Sequence, residues 1–399
     1  MESLEGALSI LLSHAKPVTD ARELPLLDAL NRIAAEDVVS PMNVPPFNRS
    51  PLDGYALHSE DIADASREHP AVVKVIGEAC AGCSDVFRPA RGEAVRVMTG
   101  APVPETCDCV IRQEDTDEGM DYAEIYAPVS HGRNICLAGE DVAAGEVLVH
   151  AGEKLTATHL AVLAGVGKAR VKVVRRVRAA LLCTGDELTQ PGQPLTFGKI
   201  YDSNQMALTA RLAELGVECV QLGELSDDPQ NVADALAHAA LEADIILTTG
   251  GVSVGKKDIF HQVLPLMGAE RLFWRIAMKP GSPLLCGLYQ DKLMICLSGN
   301  PFAALCCFEV FAVPTLRRLS GETSIEAKRV KTRLRGEFSK PSPGRRLIRA
   351  VFDGETVRPA SGNHSSGSLS ANIGCNCLID IPAGTGALHQ DDEVEVVLI

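Results

Sequence analysis

Positive charge is in short supply in this chain: 38 Lys and Arg stand against 52 Asp and Glu, a net charge of −14. Non-specific binding to nucleic acid or to a membrane surface needs a basic footprint, so the balance argues against both. It leaves room for an anionic small molecule, which a few local Lys and Arg can hold. No apolar run approaches the ~20 residues of a membrane span, and the acidic N-terminus has no signal-peptide n-region. A cytoplasmic protein is expected. The thirteen cysteines are an odd, unpatterned set, which fits reduced thiols. Cys80 and Cys83 form a CxxC, but the nearest partners, Cys107 and Cys109, form a CxC with no histidine near. That falls short of four well-spaced zinc ligands, and ordinary loop cysteines are expected. Cys306, Cys307, Cys375 and Cys377 sit in apolar surroundings and read as core. Aromatic residues are scarce at 4%, yet a hydrophobic share of 46% is ample for packed cores.

At 399 residues the chain should hold two to four domains, since single cores rarely grow past about 250 residues. The first segment, to about Val39, reads as helical, with Leu4, Leu8, Leu11 and Leu12 on one face. Residues 41–51 are a proline-rich break. From 55 to about 135 short strands alternate with turns, and 155–163 is helical again. This order predicts a β domain inserted into a helical one. Residues 177–320 alternate strand and helix, which argues for a mostly parallel sheet covered on both faces. There, Ser203 and Asn204 can cap a helix carrying Leu208, Leu212 and Leu215, and Asp228 with Pro229 opens another. After Gly321, short strands between Pro and Gly turns predict a small all-β domain. The expected fold class is multidomain α/β. Its parts are a helical N-terminal elongated, dimerising domain (1–48 and 137–176), an inserted β domain (49–136), a central α/β domain (177–322) and a C-terminal β domain (323–399).

The chemistry concentrates at three strand ends. Ile245, Ile246 and Leu247 form an apolar run that reads as a strand buried on both faces. Gly250, Gly251 and Gly255, with Thr248, Thr249 and Ser253, follow it before a helical pattern. A strand that ends in a glycine-rich loop opening a helix is a ready anion site, because backbone N–H groups and the helix dipole face the ligand. Two further apolar runs stop in the same way, at Thr184-Gly185-Asp186-Glu187-Leu188 and at Ser298-Gly299-Asn300-Pro301. In a parallel sheet these ends share one edge, where ligands bind. A tight βα turn remains the simpler alternative for any one loop. Residues 251–255 also match the G-x-S-x-G nucleophile elbow. A serine hydrolase would need a base histidine on a later loop, but His261 lies within the same helix and His364 and His389 lie in the C-terminal region. No oxyanion-hole stretch of the HGGG kind is present.

Seven motifs then recur in order. They are Pro46-Phe47-Asn48-Arg49-Ser50-Pro51-Leu52-Asp53-Gly54-Tyr55-Ala56, Met98-Thr99-Gly100-Ala101-Pro102-Val103-Pro104, Gly139-Glu140-Asp141, Thr184-Gly185-Asp186-Glu187-Leu188, the loop from Gly250 to Asp258, Lys279-Pro280-Gly281 and Gly299-Asn300-Pro301. Together they resemble the molybdopterin molybdenumtransferases, the MoeA and gephyrin E-domain family, over essentially the whole chain. The resemblance implies an elongated homodimer of four-domain subunits with a MogA-like central domain. The cleft would pair the α/β domain of one subunit with the inserted domain of the other. It implies a magnesium-dependent enzyme that takes adenylated molybdopterin and molybdate and releases molybdenum cofactor and AMP, with a molybdopterin adenylyltransferase as partner. The alternative is a diverged paralogue that binds molybdopterin as a scaffold or carrier, or that uses tungstate.

Roles follow from the resemblance and from chemistry together. Thr184, Gly185, Gly250, Gly251, Ser253 and Gly255 are expected to hold the pterin phosphate, with Asn300 and Pro301 beside them. Asp53, Asp141, Glu187 and Asp258 resemble the family's essential acids. Several carboxylates around one cleft repel one another, so Mg²⁺ on Glu187 and Asp258 is the natural compensator. Asp228 is a substrate-binding candidate that a helix cap explains equally well. Thr99 is expected to reach the partner's cleft, or else to bond its own backbone. Lys279 is the expected fixed cation for an oxyanion, with Arg345, Arg346 and Arg349 as further charge. Two positions depart from the family pattern. Ser282 stands where the family's Lys-Pro-Gly-Lys-Pro has its second lysine, and Phe302-Ala303 follows Gly-Asn-Pro where Val-Ser is common. Both belong to the family's oxyanion pocket, which implies intact pterin recognition with an altered molybdate pocket.

Overall fold

In the computed structural model the described residues are 1–399 without 83, 226, 253–258 and 363. The central domain is built on strands β1 (Arg178–Thr184), β2 (Glu218–Leu225), β3 (Ile245–Thr249), β4 (Glu270–Trp274), β5 (Leu285–Tyr289) and β6 (Lys292–Leu297). They are ordered β2-β1-β3-β6-β5-β4. β2, β1, β3 and β6 run parallel, and β5 and β4 are antiparallel additions. The unbroken apolar runs of the sequence have their cause here, because all five residues of β3 are buried. Alternate side chains serve different cores. Ala179, Leu181, Ile245 and Leu247 pack with helices Ser203–Glu214 and Pro301–Cys307, while Ala180, Leu182 and Ile246 pack with Pro229–Ala239 and Phe260–Met267.

Helix Ser203–Glu214 is capped by Asp202, whose carboxylate accepts from the Gln205 N–H at 2.9 Å, rather than by Ser203 or Asn204. Asp228 does cap the next helix, accepting from the Asn231 N–H at 2.9 Å.

The N-terminal expectation needs correction. The first helix is short, Leu4–His14, and its buried Leu4, Ala7 and Leu11 belong to the core of the α/β domain. The remaining N-terminal region is largely β. Ala21–Pro25 pairs with Arg170–Val174 and Val38–Val39 with Val147–Val149, beside the helix Ala157–Gly165. The helix ends at its C-cap, Ala15, which is extended; Pro17 disfavours helical backbone at Lys16, the residue before it, so the helix stops short of that point. The inserted domain carries a five-stranded sheet including Gly54–Leu57 and Glu93–Val97.

In the C-terminal domain, strands Arg345–Phe352, Thr356–Pro359, Arg329–Leu334, Glu393–Leu398 and Cys377–Ile381 pair in that order, and the last returns to the first. The result is a closed five-stranded barrel. Met278–Lys279 from the central domain adds to it in parallel, alongside Arg345 and Arg346. All described cysteines are free thiols; Cys306, Cys307 and Cys377 are buried and Cys375 only partly so.

An ion-pair network ties the barrel to the first helix. Buried Asp380 receives Arg345 at 2.8 and 2.6 Å and Arg329 at 2.9 Å, and Arg345 also bonds Glu5. Burial alone would raise the Asp380 carboxyl, but hydrogen bonds from Arg345 and Arg329 outweigh it and hold the group below its ordinary 3.8. A depressed folded-state pKa means that this stabilisation is complete above the ordinary value and is lost as pH falls through the folded one. Asp380→Asn is therefore expected to cost about 3 kcal/mol at neutral pH and to flatten the acid limb of the unfolding-midpoint curve below pH 4. Thermal unfolding from pH 2.5 to 7 measures both.

Candidate active site

The carboxyl ends of β1, β3 and β6 meet at one edge, and their loops touch. Gly250 has φ +90°, its N–H donates to the Leu297 carbonyl at 3.2 Å, and a Cβ there would lie 2.1 Å from the Thr184 carbonyl oxygen. Only glycine permits that approach. Thr184 is buried and its hydroxyl reaches the Thr249 carbonyl at 3.5 Å. Asn204 Nδ2 donates to the Gly299 carbonyl at 2.9 Å and to Thr249 Oγ1 at 3.4 Å, joining two of the loops. Asn204 was legible only as a helix cap; its site role depends on Asp202 taking that place. Ser253, Gly255 and Asp258 lie outside the described residues.

The carboxylate of Glu187 is exposed beside Gly185, 2.8 Å from where a Cβ on that glycine would stand. Among the described residues, no group of three or more His, Cys, Asp or Glu is placed to hold a metal. Mg²⁺, however, keeps several waters and needs only one or two carboxylates with substrate phosphates. An exposed Glu187 at the rim of the loop fits that demand. Asp228 is exposed and spent on its cap.

Next to this edge lies a cavity of about 350 Å³ between the α/β domain and the barrel. Lys279, Gly281, Ser282, Ser298, Asn300 and Ala303 line one side, and Lys340, Arg346, His364 and Ser366 the other. The Phe302 N–H donates to the Ser366 carbonyl at 2.9 Å, joining the two sides. Gly281 has φ +92°, and a Cβ on it would strike Cys307 Sγ at 2.1 Å, so the lysine-bearing loop also rests on a glycine. The Ser282 hydroxyl donates to the Ile276 carbonyl at 3.0 Å.

Arg349 does not line this cavity. It is 1% exposed, donates to the Ser365 and Ser368 carbonyls at 2.6 Å and to Asn372 Oδ1 at 2.8 Å, and stacks 3.9 Å over the Phe302 ring. It holds the 365–372 loop. Arg345 is likewise committed to Asp380.

In the inserted domain, the Thr99 N–H and hydroxyl donate to Asp53 Oδ1 at 2.7 and 2.8 Å. These donors, the backbone one first, hold the Asp53 carboxyl below its ordinary range. Asp141 lines a separate open cleft of about 780 Å³ with Phe47, Arg49 and Glu140. Within one chain, neither Asp53, Thr99 nor Asp141 lines the lysine-bearing cavity.

Residues 2–167 match the MoeA N-terminal region (domain I and II), 180–318 a probable molybdopterin binding domain and 331–399 the MoeA C-terminal region (domain IV). Over 396 residues the chain is 36% identical to the molybdopterin molybdenumtransferase of Bacillus subtilis (strain 168), covering 97% of this chain and 91% of that one. The chain belongs to the molybdopterin molybdenumtransferase family. It is also 35% identical over 374 residues to the molybdopterin molybdenumtransferase of Staphylococcus aureus (strain MSSA476), covering 93% and 89% of the two chains. The crystal structure of the molybdopterin biosynthesis MoeA protein from Pyrococcus horikosii superposes with a TM-score of 0.87 at 33% identity, over 99% and 98% of the chains. The protein is thus a transferase of molybdenum cofactor biosynthesis. Among the described residues no helix is long and apolar enough to cross a membrane.

The Gly250 contact is testable in this molybdenumtransferase. Gly250→Ala puts a side chain at positive φ, a strain on the order of 1–3 kcal/mol, and forces β1 and β3 loops apart. Misplacement by about 1 Å can cost roughly a hundredfold in rate. Cofactor formation is expected to fall by that order while the far-ultraviolet circular dichroism stays that of the parent.

Proposed function

We propose that the transferase takes molybdopterin as its adenylate and, with Mg²⁺, releases AMP as it places molybdate on the pterin. The observation that carries this is the meeting of three glycine-bearing strand ends beside a cavity rich in cations. Backbone N–H groups around Thr184, Gly185, Gly250 and Gly251 hold the phosphate of the pterin, and Ser253 and Gly255 are assigned to the same ligand on their place in the glycine-rich sequence. Asn300, and the helix that Pro301 starts, position the group from the β6 side. Lys279 holds the oxyanion, with Ser282 shaping the same wall. Asp258 orients the attacking oxygen, with Glu187 at the rim. Mg²⁺, when bound by these carboxylates, would neutralise phosphate charge and ease departure of AMP. A molybdopterin adenylyltransferase is the natural supplier of such an adenylate.

Asp53, Thr99 and Asp141 complete the site from a second copy in this reading, which makes the enzyme a homodimer. Exposed apolar side chains support an interface. Phe197 is fully exposed, with Leu195, Ile200, Tyr201 and Met206 exposed on the same stretch of the α/β domain, and Leu27, Leu30, Phe47 and Leu137 are exposed on the N-terminal region. Large apolar side chains exposed along one stretch are the kind of surface that association covers.

Light scattering at micromolar concentration should give twice the mass of one chain. Mixed dimers of Asp53→Ala and Asp258→Ala chains should recover activity at one of two sites; no recovery after verified subunit exchange would overturn the shared site.

The loop assignment has its own test. Asp258→Asn should strongly reduce AMP release with the fold intact, whereas Ser253→Ala should cost far less than the several orders of magnitude typical of a lost nucleophile. The reverse pattern would point to a hydrolase.

A further inference from the structure

The cavity between the α/β domain and the barrel is electrostatically lopsided. Among the described residues the α/β side gives it one cation, Lys279. The Ser282 hydroxyl has its proton engaged by the Ile276 carbonyl, and Ala303 offers only a buried methyl. The opposite wall carries Lys340 and Arg346. In a chain 14 charges negative, neither of these nor Lys279 has a carboxylate partner among the described residues, and no described carboxylate lines the cavity. Unpaired cations around one hollow are a site for an anion. Arg346 is partly engaged: it donates to the Pro341 carbonyl at 3.4 Å and lies 5.6 Å over the Phe338 ring. Lys340 is exposed, and among the described residues its three N–H donors are given to no such bond.

We propose that Lys340 is the second fixed cation for the oxyanion in this enzyme, replacing the charge absent at Ser282 and holding the substrate across the joint between two domains. The inference rests on the reading of this cavity as the oxyanion site. Two features fix the facing walls. Lys279 is itself a rung of the barrel, paired with Arg346. The Phe302 N–H is bonded to Ser366, and the Phe302 ring is stacked under Arg349. Lys340 therefore faces the α/β wall from a docked domain. A second sign of its placement is His364, whose pKa is lowered by burial first and then by Arg349 and Lys340.

The test is equilibrium dialysis of molybdate against the full-length protein at fixed ionic strength, read by elemental analysis, with tungstate in parallel. Lys340→Ala and Lys340→Gln should each weaken binding by roughly tenfold to a hundredfold, as expected for one charge-assisted hydrogen bond. Lys328→Ala, the same change of net charge elsewhere on the barrel domain, should leave binding unchanged. Adding Ser282→Lys to Lys340→Ala should restore most of the affinity by returning the charge from the other wall. The His364 titration followed by NMR should move upward in Lys340→Ala, which a lysine remote from the cavity would not cause. Lys279→Ala separates the two layers of the argument. If it weakens molybdate binding while both Lys340 variants bind like the parent, Lys340 is not the second cation. If Lys279→Ala and the Lys340 variants all bind like the parent, the cavity is not the oxyanion site at all.

Discussion

The approach of the Gly250 backbone to the Thr184 carbonyl is the contact on which the site depends. It brings the ends of β1 and β3 closer than any side chain would allow, and the Gly250 N–H bond to Leu297 places β6 against them. Asn204 then spans from Thr249 to Gly299. Backbone donors can crowd around a phosphate only where no Cβ stands between them. The apolar runs beneath these loops keep the edge rigid, since the strands are buried on both faces. The anion site proposed at this edge is thus a property of packing more than of any one side chain.

Charge is distributed to the same end. The molecule is strongly acidic, yet Lys279, Lys340 and Arg346 gather around one cavity that no described carboxylate lines, while Arg345 and Arg329 are neutralised by buried Asp380. Arg349 shows the other use of a cation: buried, it organises the 365–372 loop through backbone carbonyls. Neighbouring arginines in one strand therefore do unlike work. Arg345 fastens the barrel to the first helix, Arg346 faces the cavity, and Arg349 shapes the loop that supplies Ser366.

The central domain was legible because its signals are local. Apolar runs of strand length, glycine loops and Asp228-Pro229 all act within a few residues. The N-terminal region was harder. Its leucines at helical spacing are real as far as His14, but beyond Pro17 the strands pair with residues about 110 to 150 positions away, and no local period records such partners. The same limit applies at the site. The arginine cluster of the C-terminal domain was visible as charge, but which member faces the cavity depends on the barrel's register. Lys340 carried no signal, because its value lies in facing Lys279 across a domain joint. Asn204 was misread for a related reason: Asp202 beside it is an equally good cap, and the choice between them is made by what else each side chain can reach.

The placement of the acids also has a physical logic. Asp53 is held ionised on the inserted domain by two donors from Thr99, and Asp141 sits in another cleft. Glu187 is at the α/β edge. Holding all of these carboxylates in one preformed pocket would cost repulsion that only a cation could offset. Spread over separate domains, each stays solvated and charged until they are brought together. In the proposed dimer the opposing subunit delivers Asp53 beside an edge already positive from backbone donors and cations. In that reading the like-charge cost arises only when substrate and Mg²⁺ are present to meet it.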